Sequence, residues 1–335
     1  MCSSDLEFNR GRWSFQIEKA ETVSYSPKQR NRLESLSGAS AEVLAGEDMA
    51  YGKLLGELAR KFLSGKKYRA DFVASHGHTI FHQPGKGFTA QLGSGSSLSV
   101  ACGLPVVCDF RSVDVALGGQ GAPLVPIGDK LLFNNYSHCL NLGGIANISF
   151  DSGGKRIAFD ICPVNMVLNA LANQLGQHYD RGGKLAASGE VRKNLLRKLN
   201  ALPFYRRGFP KSLGREDIER NIFPILERDA ETLEDKLCTF CEHIAVQVAR
   251  VSVSQTNRPS RMLVTGGGAY NAFLMERIRA HSQIKVVIPD RQVIEFKEAM
   301  IFAFLGVLRW RNEINSLSSV TGATRNSSGG AVYHP

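Results

Sequence analysis

The sequence predicts an α/β protein made of two lobes that close on a central cleft. Three observations predict this class: short apolar runs that end in polar loops, a mostly helical stretch at residues 190–255, and a strand, glycine turn and helix at residues 261–281. Elements in this order favour sheets covered by helices, with functional loops at the ends of strands. We place one lobe at residues 1–125 and the other at 126–335, the last helical region contributing to the cleft.

The elements of the first lobe are predicted from composition and periodicity. In chain order we expect a strand region, a helix, two buried strands and an irregular segment, at residues 13–25, 41–62, 70–74, 105–108 and 118–126. Phe, Ile, Val and Tyr mark the strand region, and apolar residues at helical spacing mark the helix. Each buried strand is followed by a polar loop, and the last segment is too rich in Gly and Pro for regular structure.

The second lobe is expected to begin with strands and to end with a helix. In chain order we expect strands at 139–142, 146–150 and 156–159, a helix at 164–176, a strand at 261–265, a helix at 271–281, a strand at 284–288 and a helix at 297–312. Gly143 and Gly144 form the turn that joins the first two strands as a hairpin. Pro203 and Pro210 interrupt the helical stretch before residue 255, because proline cannot continue a helix.

Composition and charge exclude several classes of protein. Of 335 residues, 43% are hydrophobic and 21% are charged, which is the balance of an ordinary globular protein. The net charge of +10 raises the question of a nucleic-acid partner, but the basic residues are scattered and form no stripe that could follow a phosphate backbone. We expect no nucleic-acid partner and a small anionic substrate, since positive clefts speed the capture of nucleotides and carboxylates.

Cysteine usage and hydropathy indicate the compartment. Seven cysteines, an odd number spread over a long chain, argue against a disulfide framework. Cys238 and Cys241 form a lone C-x-x-C pair inside a helical pattern, so we expect buried thiols there and no metal ion. No apolar stretch is long enough to span a bilayer, and no charged-then-apolar leader opens the chain. We expect a reduced, soluble, cytoplasmic protein without a membrane partner.

Two glycine turns are candidate phosphate-binding elements. Gly266, Gly267 and Gly268 stand between a predicted strand and a predicted helix, where backbone amides can approach a nucleotide. The spacing differs from the dinucleotide fingerprint G-x-G-x-x-G, and close packing of strand on helix is the alternative. Gly143 and Gly144 form a second turn, and two such turns could hold a phosphate chain from both sides.

Asp160 and two histidines are the other candidates. Asp160 follows an apolar strand, where a carboxylate could accept a proton from a bound nucleophile, or could equally cap the next helix. His76 and His78 share one loop, but no third ligand at a suitable spacing supports a metal site. Hydrogen bonds to a sugar or to the loop itself are the expected role of these histidines.

Eight motifs, in order, make the chain resemble the anhydro-N-acetylmuramic acid kinase family. They begin with Ser-His-Gly-His-Thr and lie at residues 75–79, 109–111 with Asp114, 118–126, 142–149, 210–216, 266–271, 297–300 and 320–323. Each motif is weak alone, but eight in this order are specific. The resemblance extends from about Trp13 to Tyr333 and so covers nearly the whole chain.

The resemblance implies a fold and a reaction. The fold is that of actin, sugar kinases and heat-shock chaperone ATPases, a ribonuclease H-like architecture whose two lobes close on Mg-ATP. The reaction belongs to peptidoglycan recycling: water attacks the anomeric carbon of 1,6-anhydro-N-acetylmuramic acid, the anhydro bridge opens, and the released 6-oxygen takes the γ-phosphoryl group. The products are N-acetylmuramate 6-phosphate and ADP. ATP and Mg²⁺ are the implied cofactors, and a homodimer is the implied assembly.

The resemblance also implies roles for individual residues. Asp160 matches the catalytic base that activates the water. The substrate side comprises His76, Thr79, Arg111 and Glu298, with Arg111 suited to the lactyl carboxylate or a ring oxygen. The nucleotide side comprises Gly143, Gly144, Asn147, Asn165, Gly266, Gly267, Gly268 and Asn271. No residue is assigned to a metal ion.

The chain departs from the family pattern in two places. After Asp160, many members have Gly-Pro-Gly-Asn, whereas Cys162 and Val164 replace both glycines here and restrict the backbone. The family also opens with a strand and a loop of the type Met-Ser-Gly-Thr-Ser-Leu-Asp-Gly, which binds phosphate, and we expect this element to be missing from residues 1–125. A catalytically inactive relative that binds nucleotide or sugar, and a kinase of the same fold for another sugar, are the alternative functions.

Overall fold

The computed structural model describes residues 1–65, 69–253 and 260–335, and it divides into two compact units. Unit 1 comprises Met1–Leu132 and Phe296–Pro335, and unit 2 comprises Phe133–Glu295. The predicted lobes divide the chain at residue 125 and keep the C-terminal residues in the second lobe, whereas this division assigns those residues to unit 1. The predicted helical stretch at 190–255 runs into residues 254 and 255, which lie outside the described residues.

Unit 1 contains three small sheets and several helices among its described residues. Its elements are β1 (Cys2–Asn9), β2 (Arg12–Ala20), α1 (Pro27–Ser35), α2 (Ala41–Leu63), β3 (Val73–Ser75), β4 (His78–Gln83), β5 (Phe88–Leu92), α3 (Gly95–Cys102), β6 (Val106–Cys108), α4 (Ser112–Ala116) and α5 (Val125–Leu132). Ser40 caps α2 by accepting a hydrogen bond from the Val43 amide, because the first amides of a helix have no partner within it. β1 pairs with β2, and β4 pairs with β5, both antiparallel.

The C-terminal segment joins unit 1 by backbone pairing and aromatic packing. β12 (Ala331–Tyr333) pairs antiparallel with β6, which also pairs in parallel with β3. The rings of Trp13 and Phe304 meet edge to face at 5.0 Å, and those of Phe72 and Trp310 stack at 5.4 Å. These contacts are the physical reason that the last forty residues belong with the N-terminal ones.

Unit 2 is built on one mixed sheet. Its elements are β7 (His138–Leu142), β8 (Ile145–Ser152), β9 (Lys155–Pro163), α6 (Asn165–Gln174), α7 (Lys184–Ser188), α8 (Lys193–Asn200), α9 (Arg215–Asn221), α10 (Phe223–Glu227), α11 (Leu233–Val251), β10 (Arg261–Thr265), α12 (Ala272–His281) and β11 (Lys285–Val287). The strand order is β11-β10-β7-β8-β9. β7, β8 and β9 form an antiparallel meander, and β10 and β11 add in parallel beyond β7. This is the strand order of a ribonuclease H-like fold.

Helix α11 forms the centre of the core of unit 2. Its buried residues include Leu237, Phe240 and Ile244, which pack with the apolar side chains of the sheet. Cys238 and Cys241 are buried free thiols on this helix, as the sequence predicted. α13 (Arg291–Trp310) and α14 (Ser318–Thr321) complete the fold, and the boundary between the units falls within α13.

The mixed α/β class is confirmed, and most predicted elements are present with shifted ends. β9 continues through Ile161 to Pro163, so Asp160 lies inside a strand and does not cap a helix. α13 begins at Arg291, six residues before the predicted start, and α5 includes Pro126, which was expected to be irregular. No helix of the described ranges is long and apolar enough to cross a membrane.

Candidate active site

Asp160 lies on β9, one of the two edge strands of the sheet of unit 2. Its Cα pairs with that of Asn147 on β8, so the two residues predicted for base and nucleotide face each other across neighbouring strands. The register shifts at this point: Ala146 pairs with Cys162 and Asn147 with Asp160, and Ile161 is left without a partner on β8. A bulge of this kind bends the strand and redirects the neighbouring side chains.

A loop after α8 binds Asp160 on the free edge of β9. The Asp160 amide donates to the Lys211 carbonyl at 3.1 Å, and the Leu213 amide donates to Oδ2 of Asp160 at 2.9 Å. Burial raises the pKa of Asp160 above its ordinary value, and the hydrogen bond from Leu213 opposes that rise. A carboxylate whose pKa is raised is a better proton acceptor, which suits a general base.

The two glycine turns meet in unit 2. A Cβ atom on Gly266 would lie 2.8 Å from the Leu142 carbonyl oxygen, and one on Gly268 would lie 2.7 Å from the Leu142 Cβ. Leu142 is the residue immediately before the Gly143–Gly144 turn. Gly266 has a φ of +84°, a conformation that residues with a side chain rarely adopt. The structure therefore brings together the turns that the sequence proposed for phosphate.

The start of α6 closes the same region. The Asn165 side-chain amide donates to the Leu142 carbonyl at 3.2 Å, and its backbone amide donates to the Gly143 carbonyl at 3.2 Å. Its Nδ2 atom would lie 3.4 Å from a Cβ on Gly267, so this glycine borders open space beside Asn165. Both glycine turns and the start of α6 thus lie side by side, and the first amides of α6 are paired with the carbonyls of Gly143 and Gly144.

Asn271 has a structural role as the N-cap of α12. Its Oδ1 accepts a hydrogen bond from the Leu274 amide at 2.9 Å and so caps α12, and the residue is buried. Asn271 therefore supports the glycine turn by fixing the helix that follows it. Its predicted contact with nucleotide stays a prediction.

Arg111 and His76 form the centre of the predicted substrate side in unit 1. The Nε and Nη2 atoms of Arg111 lie 2.9 and 2.7 Å from the Nε2 atom of His76, and Nη1 donates to the Gly121 carbonyl at 2.6 Å. The Nδ1 atom of His76 lies 3.0 Å from the Gly77 carbonyl. Because Nδ1 meets an acceptor and Nε2 meets donors, His76 is the neutral tautomer with its proton on Nδ1.

Electrostatics support a neutral His76 beside a charged Arg111. Burial and then the charge of Arg111 lower the pKa of His76 below its ordinary value. Burial also lowers the pKa of Arg111, and the charge of Glu298 opposes this effect. Glu298 lies on α13 with an exposed side chain, within the electrostatic reach of Arg111. Thr79 lies on β4, opposite Gln91 of β5, and is exposed.

Asp114 organises the loop around Arg111, a role that the sequence did not suggest. It is fully buried and accepts hydrogen bonds from the Gly121 amide at 2.8 Å and from the hydroxyls of Ser316 and Thr321 at 2.7 Å each. Through Gly121 it fixes the carbonyl that binds Arg111. The presence of Asp114 in a motif next to Arg111 is the available signal, but two of its three partners, Ser316 and Thr321, are distant in the chain.

The predicted residues therefore gather within each unit. In unit 1, His76, Arg111 and Glu298 are close, and Thr79 lies near the start of the strand that follows His76. In unit 2, Asp160 faces Asn147, and the glycine turns meet at Asn165. The residues that the sequence missed are Asp114 and the Lys211–Leu213 segment, which lies in one of the eight motifs but was given no role. Within residues 1–65, 69–253 and 260–335, no group of three or more His, Cys, Asp or Glu residues could hold a metal ion.

Comparison with known proteins identifies the family. The profile of the anhydro-N-acetylmuramic acid kinase family matches residues 15–335. Similar curated relatives carry the name anhydro-N-acetylmuramic acid kinase. That of Methylobacterium nodulans is 35% identical over 79% of this chain and 72% of its own length. That of Methylorubrum extorquens is 38% identical over 79% and 71%, and that of Microcystis aeruginosa is 32% identical over 95% and 92%.

Proposed function

The chain belongs to the anhydro-N-acetylmuramic acid kinase family, and from that premise we propose the reaction, the site residues and the setting. The protein is a kinase that acts in peptidoglycan recycling. It opens the 1,6-anhydro ring of 1,6-anhydro-N-acetylmuramic acid with water and phosphorylates O6, which gives N-acetylmuramate 6-phosphate and ADP. The observation that supports this most directly is the sheet of unit 2, where Asp160 and two adjoining glycine turns lie on connected elements.

Asp160 is the general base in this proposal. The carboxylate holds the attacking water and takes its proton as the water bonds to the anomeric carbon. Burial raises the pKa of Asp160, and a base of raised pKa receives a proton more readily. The released 6-oxygen acquires a phosphoryl group, so the reaction requires no separate general acid at that atom.

The glycine turns of unit 2 hold the nucleotide. Bound ATP supplies the γ-phosphoryl group, and phosphoryl transfer depends mainly on positioning and on neutralising charge. The turns at Gly143–Gly144 and Gly266–Gly268 fit this role because they adjoin each other and Gly267 leaves room beside Asn165 for a phosphate group. Gly266 and Gly268 allow this approach by packing against Leu142, where a Cβ would overlap. Mg²⁺ fits the same place, because it binds largely through phosphate oxygens and water and needs few protein ligands.

The sugar is held by His76, Thr79, Arg111 and Glu298 of unit 1. Three of the hydrogen atoms on Arg111 face His76 and Gly121, and these contacts fix the plane of the guanidinium. The remaining N–H groups are left for the lactyl carboxylate or a ring oxygen of the substrate. Thr79 and Glu298 are exposed and available to sugar hydroxyls.

A cytoplasmic setting and a homodimer complete the proposal. Both ATP and the recycled sugar are found in the cytoplasm, which supports the first. Family membership alone supports the second, and sedimentation equilibrium of the purified protein tests it.

The experiment that tests the reaction supplies 1,6-anhydro-N-acetylmuramic acid and Mg-ATP and follows ADP release. We expect a product that has gained one water and one HPO₃ unit by mass spectrometry. N-acetylmuramate, which has no anhydro bridge, is the matched substrate. Faster turnover of N-acetylmuramate would assign another sugar, and nucleotide binding without turnover of either would indicate an inactive relative.

A further inference from the structure

The loop Phe209–Gly214 covers the free edge of β9 where Asp160 lies. β9 is the last strand of its sheet, so the Asp160 amide has no strand partner on that side. The Lys211 carbonyl accepts from this amide, and the Leu213 amide donates back to Oδ2 of the same residue. The two bonds thus join one loop to both the backbone amide and the side-chain carboxylate of Asp160.

Aromatic contacts hold this loop in place. The ring of Phe209 stacks on that of Phe159, the neighbour of Asp160, with centroids 5.8 Å apart and planes within 8°. The Lys211 ammonium lies 4.7 Å from the centroid of Phe204 and 5.6 Å from that of Phe159. The loop therefore has a fixed position relative to β9, as a positioning element must.

The Leu213 bond distinguishes the two carboxylate oxygens. In the described part of the chain, the Leu213 amide is the one donor that hydrogen-bonds this carboxylate, and it binds Oδ2. Oδ1 is left to receive the proton. A bond to one oxygen fixes rotation about the Cβ–Cγ bond, so the lone pairs of Oδ1 keep one direction.

We propose that the Leu213 backbone amide is the positioning group for Asp160: it holds Oδ2 so that Oδ1 faces the water. This inference rests on the proposed function for the identity of the reaction, and on the observed contacts for the orientation. Leu213 contributes through its amide only, and no part of it touches the substrate.

Several groups near Asp160 could influence its pKa, and the test must distinguish the effect of the Leu213 amide from theirs. From the loop, Lys211 is the charged group; from β8, the neutral Asn147 is opposite; on β9, Cys162 is the titratable neighbour, and burial raises its pKa. Burial also lowers the pKa of Lys211. A test must therefore remove the amide of Leu213 and, separately, the charge of Lys211.

The experiment compares Leu213→Pro, which removes the amide hydrogen, with Leu213→Ala, which keeps it. In Leu213→Pro we expect kcat to fall about tenfold and the acidic limb of the pH–kcat/KM profile to move up by about one pH unit. The limb moves up because the lost hydrogen bond favours the charged carboxylate. We expect KM for ATP to be unchanged in Leu213→Pro. In Leu213→Ala and Lys211→Gln, we expect the acidic limb of the pH–kcat/KM profile to stay at its wild-type position.

Other outcomes overturn the proposal. An equal loss of rate at every pH in Leu213→Pro would show a structural effect only, and a shifted limb in Lys211→Gln would assign the effect to charge. If Leu213→Pro does not fold, Phe209→Ala loosens the loop and is expected to move the limb in the same direction; an unmoved limb refutes the proposal.

A measurement without turnover separates this proposal from the reaction itself. The pKa of Asp160 is read from the carboxyl ¹³C shift in wild type and in Leu213→Pro, with Asp160→Asn giving the assignment. A higher pKa in the proline variant together with an inactive wild type would refute the kinase reaction and support the contact. An unchanged pKa of Asp160 in the proline variant together with an active wild type would support the kinase reaction and refute the positioning role of Leu213.

Discussion

The guanidinium of Arg111 binds the Nε2 atom of His76 through two of its nitrogens. A third nitrogen donates to the Gly121 carbonyl, whose own residue is held by the buried Asp114. Arg111 is thus fixed before any ligand arrives, and its contacts use the planar, forked geometry that lysine lacks. Replacement of this residue tests the substrate side of the site.

Arg111→Lys should raise KM for the sugar about tenfold and leave KM for ATP unchanged. A lysine ammonium cannot reach both His76 and Gly121 in the same plane, so the remaining donors lose their direction. Steady-state kinetics with each substrate varied gives both constants. Arg32→Lys, at an exposed ion pair with Glu47, is the matched control and should behave as wild type. An unchanged sugar KM in Arg111→Lys would remove Arg111 from the sugar site.

Asp160→Asn should lower kcat by about a thousandfold while sugar and ATP still bind. The amide cannot take a proton from water, and general-base catalysis is worth about 10² to 10⁴ in rate. Single-turnover assays measure the rate, and calorimetric titration measures binding. Asp151→Asn changes an exposed carboxylate on the neighbouring strand and serves as the control. Near-normal turnover in Asp160→Asn would exclude this residue as the base.

Gly267→Ala and Gly266→Ala should fail in different ways. A Cβ at Gly267 lies 3.4 Å from its nearest neighbour, so the variant should fold normally yet raise KM for ATP about tenfold by occupying the phosphate space. A Cβ at Gly266 would lie 2.6 Å from Oδ1 of Asn141 at a φ of +84°, so that variant should lose about 2 kcal/mol of stability or more. Urea unfolding and ATP titration separate the two effects. Normal ATP affinity in Gly267→Ala would contradict the nucleotide assignment.

His243 should make the protein less stable in mild acid. It is fully buried between Asn200 and Tyr205, and burial lowers its pKa from 6.5 to about 3. Between those two pH values the unfolded chain binds a proton that the folded chain does not, so the free energy of unfolding falls as pH falls below 6.5. The slope from this residue is at most about 1.4 kcal/mol per pH unit.

The measurement is urea unfolding of wild type and His243→Gln at pH 7.5 and 5.5. We expect the variant to be less stable at pH 7.5, because Asn200 and Tyr205 lose a partner, and to lose less stability on acidification than wild type. The exposed His178→Gln should keep the wild-type slope. Equal slopes in wild type and His243→Gln would show that His243 does not set the acid response.

The sequence predicted the elements that carry chemistry better than it predicted their contacts. Strands and glycine turns follow from local composition, so β7, β8 and β10 and the two turns were expected near their observed positions. The hydroxyl partners of Asp114, Ser316 and Thr321, lie more than two hundred residues away along the chain. The loop that binds Asp160 lies more than fifty residues away, so no local pattern contains either contact. The end of β9 was missed because Ile161, Cys162 and Pro163 resemble a turn, whereas pairing with β8 extends the strand.

The unpaired Ile161 bends β9 beside Asp160 without changing how the rest of the strand pairs with β8. Pairing on either side of it is complete, with Asp160 opposite Asn147 and Cys162 opposite Ala146. Deletion of Ile161 would therefore remove the bulge, and every other residue of β9 would keep its pairing partner on β8. Ile161 is also buried in the core of unit 2, so the shortened chain would lose a core side chain as well as the bend beside Asp160. One extra residue thus both fills the core of unit 2 and sets the bend of the strand that carries Asp160.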